Sequence, residues 1–447
     1  MIIDTDHLSN RQIAGLNTDR KELNDKFEAI ARLFDISWLN DDGDNPLQKL
    51  WKCRDALATN ELLNFGDAIE GFEKVDKRWL REQAQIVKSG DEGNRAGAIF
   101  ELLGLNVFLF VGNEVVPAKS SNPGYDGTIK LIDGSSLLVS IKNHGMTSYH
   151  RSFHKNAKEL DDQFKAWLAK HSASGTELRI LAQKYLDATA WSEIKSDLRN
   201  ILDGQLDGSA KNYKAKSKAK IILKQISSEF NPLGVHSISS IVFVAAKSHK
   251  NEQDKFIEDI RKGCGNLVKH TKDEPDTACS VLFVRLCANA SAANCRTWAD
   301  DYFKQFPNER VGLIILYQAT IVTADGSSSL AHYILPIEGP QFSKWKNPPG
   351  LPSRTLPNMG VLVGVILGES SFKVVTTDGG HHIKMDDAYS YQRGDIHRRY
   401  CMENGILNAQ LSNPAPGIKI HAEIEIDGQT ADLQMIAPET GELQLLT

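Results

Sequence analysis

Cysteine is scarce in this chain, and its copies follow no spacing typical of a metal site or a disulfide framework. The 447 residues contain six cysteines, at positions 53, 264, 279, 287, 295 and 401. The absence of any Cys-x-x-Cys pair argues against a zinc ribbon and a thioredoxin-like motif. Six cysteines are also too few for a disulfide scaffold of this length, so we expect reduced thiols and a cytoplasmic protein.

Long apolar runs are absent as well. No stretch reaches the ~20 consecutive apolar residues that a membrane-spanning helix needs. The nearest candidates, Leu102–Gly112 and Val311–Val322, are shorter and are interrupted by Asn106 and Gln318 respectively. The first residues carry no basic segment followed by an apolar one, so a secretory signal is not expected. We therefore expect no contact with a membrane.

The chain has no excess of positive charge and lacks several common enzyme motifs. Its formal net charge of −5 excludes a uniformly basic nucleic-acid coat protein, so any polyanion site must be a local patch. A Walker phosphate loop and Gly-x-Gly-x-x-Gly are absent, which argues against a self-contained NTPase or a dinucleotide-binding enzyme. Gly-x-Ser-x-Gly and His-Glu-x-x-His are absent too, which argues against two common classes of hydrolase.

What is present is an ordinary globular composition with changing helix and strand signals. Hydrophobic residues make up 41% of the chain and charged residues 24%. The apolar patterns predict an α/β fold in five segments. They are a helical region (1–90), a mixed core (91–205), a basic linker (206–230), an α/β module (231–345) and a β-rich module (346–447).

The second segment contains the clearest local signals. Its apolar spacing predicts a helix over Glu92–Leu103 that ends at Gly104, then a strand over Val107–Val111. An Asp-Gly pair between two β-rich runs is typical of a hairpin, whose strands we expect at Asp126–Ile132 and Ser136–Asn143. Helices are predicted to dominate residues 151–202.

Three charged side chains of this segment are expected to meet at one edge of the sheet. Asp126 begins the first strand of the hairpin and Lys142 ends the second, so the hairpin brings the two residues side by side. Glu101 lies on the preceding helix at helical spacing from Ala98 and Leu105, so it can face the sheet. Two carboxylates beside a lysine suit metal-assisted phosphodiester hydrolysis, because magnesium is commonly held by carboxylates, water and substrate phosphate.

This order of residues resembles the PD-(D/E)XK nuclease superfamily, which has the restriction-endonuclease-like fold. The resemblance covers about residues 91–170. It implies that Asp126 is the central metal ligand, that Lys142 is the catalytic lysine and that Glu101 is the acid of the helix. It further implies that the backbone carbonyl of Ile141 is a ligand, with Mg²⁺ or Mn²⁺ as the cofactor.

The chain departs from the pattern of the family at one position. Ser140 stands two residues before Lys142, where the family has Asp or Glu, and a serine brings no second negative charge. Some restriction enzymes of this fold carry Ser-x-Lys and recruit a glutamate from the following helix, which makes Glu159 a candidate metal ligand here. Glu101 is the alternative second acid, and a site that has lost catalysis is the third interpretation.

A basic stretch follows the candidate site. No acidic residue occurs between Asp133 and Glu159, whereas Lys142, Arg151, Lys155 and Lys158 all lie in this interval. Such residues neutralise phosphates, which is the main source of sequence-independent affinity for DNA. We therefore expect these four residues to contact nucleic acid.

Together these features predict a Mg²⁺-dependent nuclease that acts on DNA, with RNA left open, in a prokaryotic antiviral defence system. The layout is also similar to nucleases fused to the module that docks a short Argonaute. The C-terminal half is accordingly expected to bind a protein partner, either an Argonaute-like protein or a second copy. Two alternatives stay open: a catalytically inactive nuclease-like module that binds nucleic acid or protein, and a homodimeric restriction endonuclease that acts alone.

Overall fold

The computed structural model describes most of the chain up to residue 361 and several strands beyond it. The described residues are 11, 18–54, 56–119, 124–171, 176–204, 211–215, 217–225, 240–287, 290–307, 309–324, 327–361, 388–394, 397–403, 406–412, 419–426, 429–436 and 445–446. They form a mixed α/β structure, with helices towards the N-terminal end and mixed sheets after them. None of the helices in these ranges combines the length and apolar character that crossing a bilayer requires.

Five helices come first, which confirms the helical character predicted for the described part of this region. Four of them begin at an Asp or Asn whose side chain accepts backbone amides of the first turn, the usual way to satisfy a helix start. Their apolar faces share one core, which contains the fully buried rings of Phe27, Trp51 and Phe65. The helices are α1 (Arg20–Phe34), α2 (Ile36–Asn40), α3 (Pro46–Lys52), α4 (Ala56–Val75) and α5 (Lys77–Ser89).

The next helix, α6 (Glu92–Leu109), is longer than the sequence predicts. Gly104 does not end it, and the strand predicted at Val107–Val111 is wrong because this apolar run continues the helix through Leu109. A Cβ atom on Gly104 would lie 3.2 Å from Ile141 and 3.4 Å from Phe283, so the glycine lets the helix lie close against the sheet. A short apolar run fits a buried helix as well as a buried strand, which explains the error.

The first sheet has six strands in the order β1-β2-β3-β8-β9-β10. The predicted hairpin is confirmed, since β2 and β3 are antiparallel and Gly134 takes a positive φ of 80° in the turn between them. β3 is parallel to β8, and β8 is parallel to β9. The strands are β1 (Glu114–Pro117), β2 (Gly127–Lys130), β3 (Ser136–His144), β8 (Ala278–Leu286), β9 (Leu313–Ala324) and β10 (Ser327–Glu338).

The strands of a second sheet come between β3 and β8 in the sequence, except for the strand Ala388–Gly394, which comes after the first sheet. Its order is β11-β7-β4-β6-β5, with β4 parallel to β7. The strands are β4 (Thr176–Ala182), β5 (Lys211–Lys214), β6 (Lys220–Gln225), β7 (Ser240–Lys247) and β11 (Ala388–Gly394). Helices α7 (Ser148–Lys170) and α8 (Ala188–Gly204) flank β4, a strand that the sequence does not predict.

The basic stretch expected as a linker over 206–230 contains the edge strand β5 and its neighbour β6. Ile221, Ile222 and Leu223 form a buried run between lysines, and this run pairs with the central strand β4. The lysines alone suggested a solvated connection, but the apolar run between them is enough for a strand. Residues 205–210, 216 and 226–239 lie outside the described residues.

The structure also differs from the expected division into separate core and α/β module. After the second sheet, α9 (Asn251–Thr271) leads back to β8, which pairs with β3 along its whole length. Helices α10 (Ala292–Gln305) and α11 (Pro340–Lys346) complete this part. Segments predicted as two units therefore share one sheet, because a strand can pair with a segment more than a hundred residues away.

Beyond residue 361 the described chain consists of strands, apart from Leu445 and Leu446. β12 (His397–Glu403) pairs with β13 (Ile406–Ser412), and β14 (Lys419–Ile426) pairs with β15 (Gln429–Ile436). The β-rich character predicted for residues 346–447 is confirmed for these strands, whereas residues 362–387 lie outside the described residues.

The packing of α6 on the first sheet predicts a strong stability effect. Phe100 is fully buried against Phe283 and Tyr317, so Phe100→Ala should lower the free energy of unfolding by about 3–5 kcal/mol. Phe110→Ala, just past the same helix at a ring that is 38% exposed, should change it by less than about 1 kcal/mol. Denaturant unfolding of both variants checks this, and equal losses would contradict the packing.

Candidate functional site

Asp126 occupies the point where the β2–β3 ladder ends. The last pair of the ladder joins Gly127 to Val139, and the amide of Asp126 donates to the carbonyl oxygen of Val139 at 2.8 Å. One carboxylate oxygen of Asp126, Oδ2, then accepts the amide of Ile141 at 2.5 Å and faces the hydroxyl of Ser140 at 3.4 Å. The carboxylate of Asp126 thus accepts the hydrogen bond that the backbone of a further β2 residue would otherwise accept.

The loop before Asp126 is fixed by a glycine. Gly124 has a φ of 149°, and a Cβ atom there would collide with the side chain of His270 near the end of α9. Only glycine fits this close approach without strain. The loop that presents Asp126 is therefore seated on α9, a helix that comes more than a hundred residues later.

The backbone of Ile141 points to the space beside Asp126, beyond the last pair of the β2–β3 ladder, because successive residues of a strand point in alternate directions. The carbonyl and amide of a strand residue point to the same side, and every second residue points the same way. Val139 faces β2 through its carbonyl, so the amide and carbonyl of Ile141 point in that direction as well, beyond the last residue of β2. The carbonyl oxygen of Ile141 is thus directed beside the Asp126 carboxylate, as the resemblance implies for a ligand.

The side chain of Lys142 extends from β3 and packs beside α9. A Cβ atom on Gly263 would lie 3.4 Å from Cγ of Lys142 and 2.8 Å from Leu282, so this mid-helix glycine leaves room for the lysine stem. No ion pair between described residues involves the Lys142 ammonium group, although its charge acts on both acids of the site. The ammonium group is therefore available to a further anion.

Glu101 comes to the site from α6. It is half-buried, and its Oε2 accepts a hydrogen bond from Nε2 of Gln83 on α5 at 2.9 Å. The charges of Asp126 and Lys142 both act on it, which places the three predicted residues within one electrostatic cluster. Gln83 is a positioning residue that sequence reasoning missed, since a glutamine on a separate helix carries no signal of its own.

Both acids hold their protons more tightly than usual. Burial, followed by the repulsion of Asp126, raises the pKa of Glu101 to about 7, against the attraction of Lys142 and the Gln83 hydrogen bond. Burial also raises the pKa of Asp126, although the Ile141 amide and Lys142 act in the opposite direction. Two neighbouring carboxylates with raised pKa values form a site that gains from a bound cation.

The donor set of the site consists of two carboxylates and one directed carbonyl. Oxygen donors of this kind suit Mg²⁺, which fills its remaining positions with water and substrate phosphate. Within the described ranges, no group of three or more His, Cys, Asp or Glu side chains is arranged to hold a metal ion. Asp126, Glu101 and the carbonyl of Ile141 are thus the residues that could hold such an ion.

The other predicted residues lie on α7. Glu159 is exposed and forms an ion pair with Lys195 of α8 at 2.6 Å, so the structure does not bring it to Glu101 and Asp126. Arg151, Lys155 and Lys158 are exposed at helical spacing along one side of α7. The described contacts do not join these three residues to the acids.

Comparison with models of protein families, with curated proteins and with solved structures finds no match for this chain.

The raised pKa of Glu101 predicts a pH-dependent gain in stability for Glu101→Gln. The folded-state pKa of about 7 exceeds the ordinary glutamate pKa of 4.5, so this group destabilises the folded protein increasingly from about pH 4.5 to pH 7, and by a constant amount above pH 7. Without divalent ions, Glu101→Gln should raise Tm by on the order of 3 °C at pH 8 and by little at pH 5.

Glu82→Gln is the matched control, because Glu82 lies on α5 in an exposed ion pair with Arg78. It should leave Tm nearly unchanged at both pH values, since exposed pairs contribute little. Differential scanning fluorimetry of the two variants measures the effect. A Glu101→Gln variant that is less stable than wild type at pH 8 would refute the burial argument.

Proposed function

We propose that this chain is a Mg²⁺-dependent nuclease that hydrolyses phosphodiester bonds of DNA. The observation that carries the proposal is the cluster of Asp126, Lys142 and Glu101, in which both acids have raised pKa values and the lysine has no described ion pair. Buried acids that repel each other destabilise a fold, and such costs are typical of functional sites.

Each residue of the cluster has a distinct role in the proposed reaction. Asp126, Glu101 and the carbonyl of Ile141 would hold the cation. The chemistry that Mg²⁺ supplies at such a site is polarisation of the phosphate and acidification of a bound water. Lys142 would stabilise the attacking hydroxide and the negative charge that grows on the phosphate oxygens, which is the electrostatic role of a preorganised cation.

The proposed core is restriction-endonuclease-like but assembled from two separated segments. The first segment is α6 with β1, β2 and β3, and the second is α9 with β8, which lies parallel to β3. On this proposal, residues 145–250, including most of the second sheet, are an insertion into the core. The helix that follows the lysine strand within the core is then α9, and this favours Glu101 over Glu159 as the second acid.

A catalytically silent nucleic-acid-binding module is the second candidate function. It is favoured by Ser140, which is 2% exposed and faces Asp126 where the family has an acid, and by the lack of a three-acid group among the described residues. We also propose that the C-terminal half binds a protein partner, either an Argonaute-like protein or a second copy of this chain. The order of the segments along the chain supports this part of the proposal.

Isosteric changes in the cluster test catalysis. Asp126→Asn and Lys142→Met should each reduce cleavage of plasmid and single-stranded DNA at least ~100-fold with Mg²⁺ or Mn²⁺, because each removes charge from the transition state. Glu101→Gln should reduce cleavage similarly, whereas Glu159→Gln should not.

Asp133→Asn is the matched control on the same hairpin, since Asp133 caps the turn through Ser135 away from the cluster. It should retain wild-type cleavage. Cleavage that survives Asp126→Asn would exclude the proposed site. Binding of DNA without any cleavage, at every metal tested, would establish the second candidate instead.

The exposed side of α7 predicts the salt dependence of DNA binding. Replacing Lys155 and Lys158 together with glutamine should weaken binding and lower the slope of log K against log salt by about 1–2, because fewer counterions are released. Lys21 and Lys74, exposed on α1 and α4, provide a control pair that should leave the slope unchanged. Fluorescence anisotropy over a salt series measures it, and an unchanged slope for the α7 pair would remove this contact.

A further inference from the structure

Three rings from three different elements meet at one end of the second sheet. Tyr149 at the start of α7 stacks on His249 with ring centroids 3.6 Å apart and planes inclined by 6°. Tyr185, from the loop after β4, meets His249 edge-on at 4.6 Å and Tyr149 edge-on at 6.1 Å. We name Tyr149, Tyr185 and His249 the aromatic cluster. All three rings are half-buried, so each keeps part of its surface in solvent.

Hydrogen bonds from the first residue of α9 fix the positions of two of the three rings. The amide of Asn251 donates to Nδ1 of His249 at 3.1 Å, and its side-chain Nδ2 donates to the hydroxyl of Tyr149 at 3.1 Å. The residue before α7, Thr147, donates to Oε1 of Glu252 at 2.5 Å, which ties the starts of the two helices together. Rings that are fixed in advance lose little entropy when a flat ligand stacks on them.

The surroundings of the cluster carry charges of both signs. Burial, together with the charges of Glu252 and Asp187, raises the pKa of Tyr185. The carboxyl ends of the parallel strands β4 and β7 lie at the same edge of the sheet, and exposed lysines follow both strands. Asp187 is the exposed acid nearest in sequence to Tyr185 and caps the start of α8 through the amide of Ala190. The exposed cations nearest to the cluster in the sequence are Lys184, Lys247, Lys250 and Arg151.

Helix α9 connects this cluster with the candidate catalytic site. Asn251 of α9 touches Tyr149, whereas Gly263 of the same helix borders the stem of Lys142. The twelve helical steps from Asn251 to Gly263 span about 18 Å, since an α-helix rises 1.5 Å per residue. A strand of nucleic acid advances about 3.4 Å per stacked nucleotide and more when stretched, so this distance covers at most about five nucleotides.

We propose that the aromatic cluster is a stacking site for an unpaired base of single-stranded nucleic acid, within about five nucleotides of the scissile phosphate. Aromatic faces bind bases of any sequence, and neighbouring cations neutralise the backbone, which is the usual combination in proteins that bind single strands. A duplex keeps its base faces covered, so this site favours single strands. The inference rests on the proposed nuclease function only for the position of the scissile phosphate.

A pair of substitutions at Tyr185 tests the stacking. Tyr185→Leu keeps an apolar side chain but removes the flat ring, whereas Tyr185→Phe keeps the ring and removes only the hydroxyl. In EDTA, which prevents cleavage, the full chain with Tyr185→Leu should bind fluorescein-labelled (dT)20 about 5–10-fold more weakly than wild type. Tyr185→Phe should bind within about twofold of wild type, and neither change should affect binding of a 20-bp duplex.

A second measurement needs no variant. Single 2-aminopurine substitutions in the interior of a 20-nucleotide strand should show quenched fluorescence when the wild-type chain binds, because stacking on an aromatic ring quenches this base and the site accepts any base. Equal losses for the two Tyr185 variants, preference for the duplex, or no quenched position would each overturn the inference. Ring-dependent binding without cleavage in Mg²⁺ or Mn²⁺ would support it and at the same time reject the nuclease.

Discussion

The end of the β2–β3 ladder is the constraint on which the candidate site depends. The amide of Ile141 has no strand partner on its β2 side, and a buried amide must be satisfied. The carboxylate of Asp126 accepts it, so the requirement that stabilises the sheet also fixes the direction of the acid. The same alternation directs the carbonyl of Ile141 beside this carboxylate. It also places the side chain of Lys142 on the face of β3 opposite to the Ile141 side chain, next to α9, from where its charge acts on both acids.

Helix α9 contacts several parts of the chain that are distant from one another in sequence. It holds the aromatic cluster at Asn251, pairs with His144 of β3 through Asp259, borders Lys142 at Gly263 and seats the Asp126 loop at His270. A single rigid helix therefore sets the spacing between the second sheet and the acids. Under the proposed function, α9 also sets the distance between the proposed stacking site and the scissile phosphate.

The acids of the site are held at a cost to stability. Burial raises the pKa values of both Glu101 and Asp126, and the compensating groups, Gln83 and the Ile141 amide, satisfy hydrogen bonds without adding positive charge. Lys142 supplies charge but forms no described ion pair with either acid. A divalent cation would relieve this repulsion, which is the physical reason to regard the cluster as a site rather than as a structural ion pair.

The sequence alone determined the local features: the helical N-terminal region, the Asp-Gly hairpin, and the meeting of Asp126, Lys142 and Glu101, because period-two and period-3.6 patterns fix which residues share a face. Tertiary structure alone decided the rest. It extended α6 past Gly104, turned the lysine-rich stretch into two strands of the second sheet, paired β3 with β8, and packed α9 against the site. These outcomes depend on contacts between residues far apart in the chain, and no local pattern encodes which distant partner a buried face will meet.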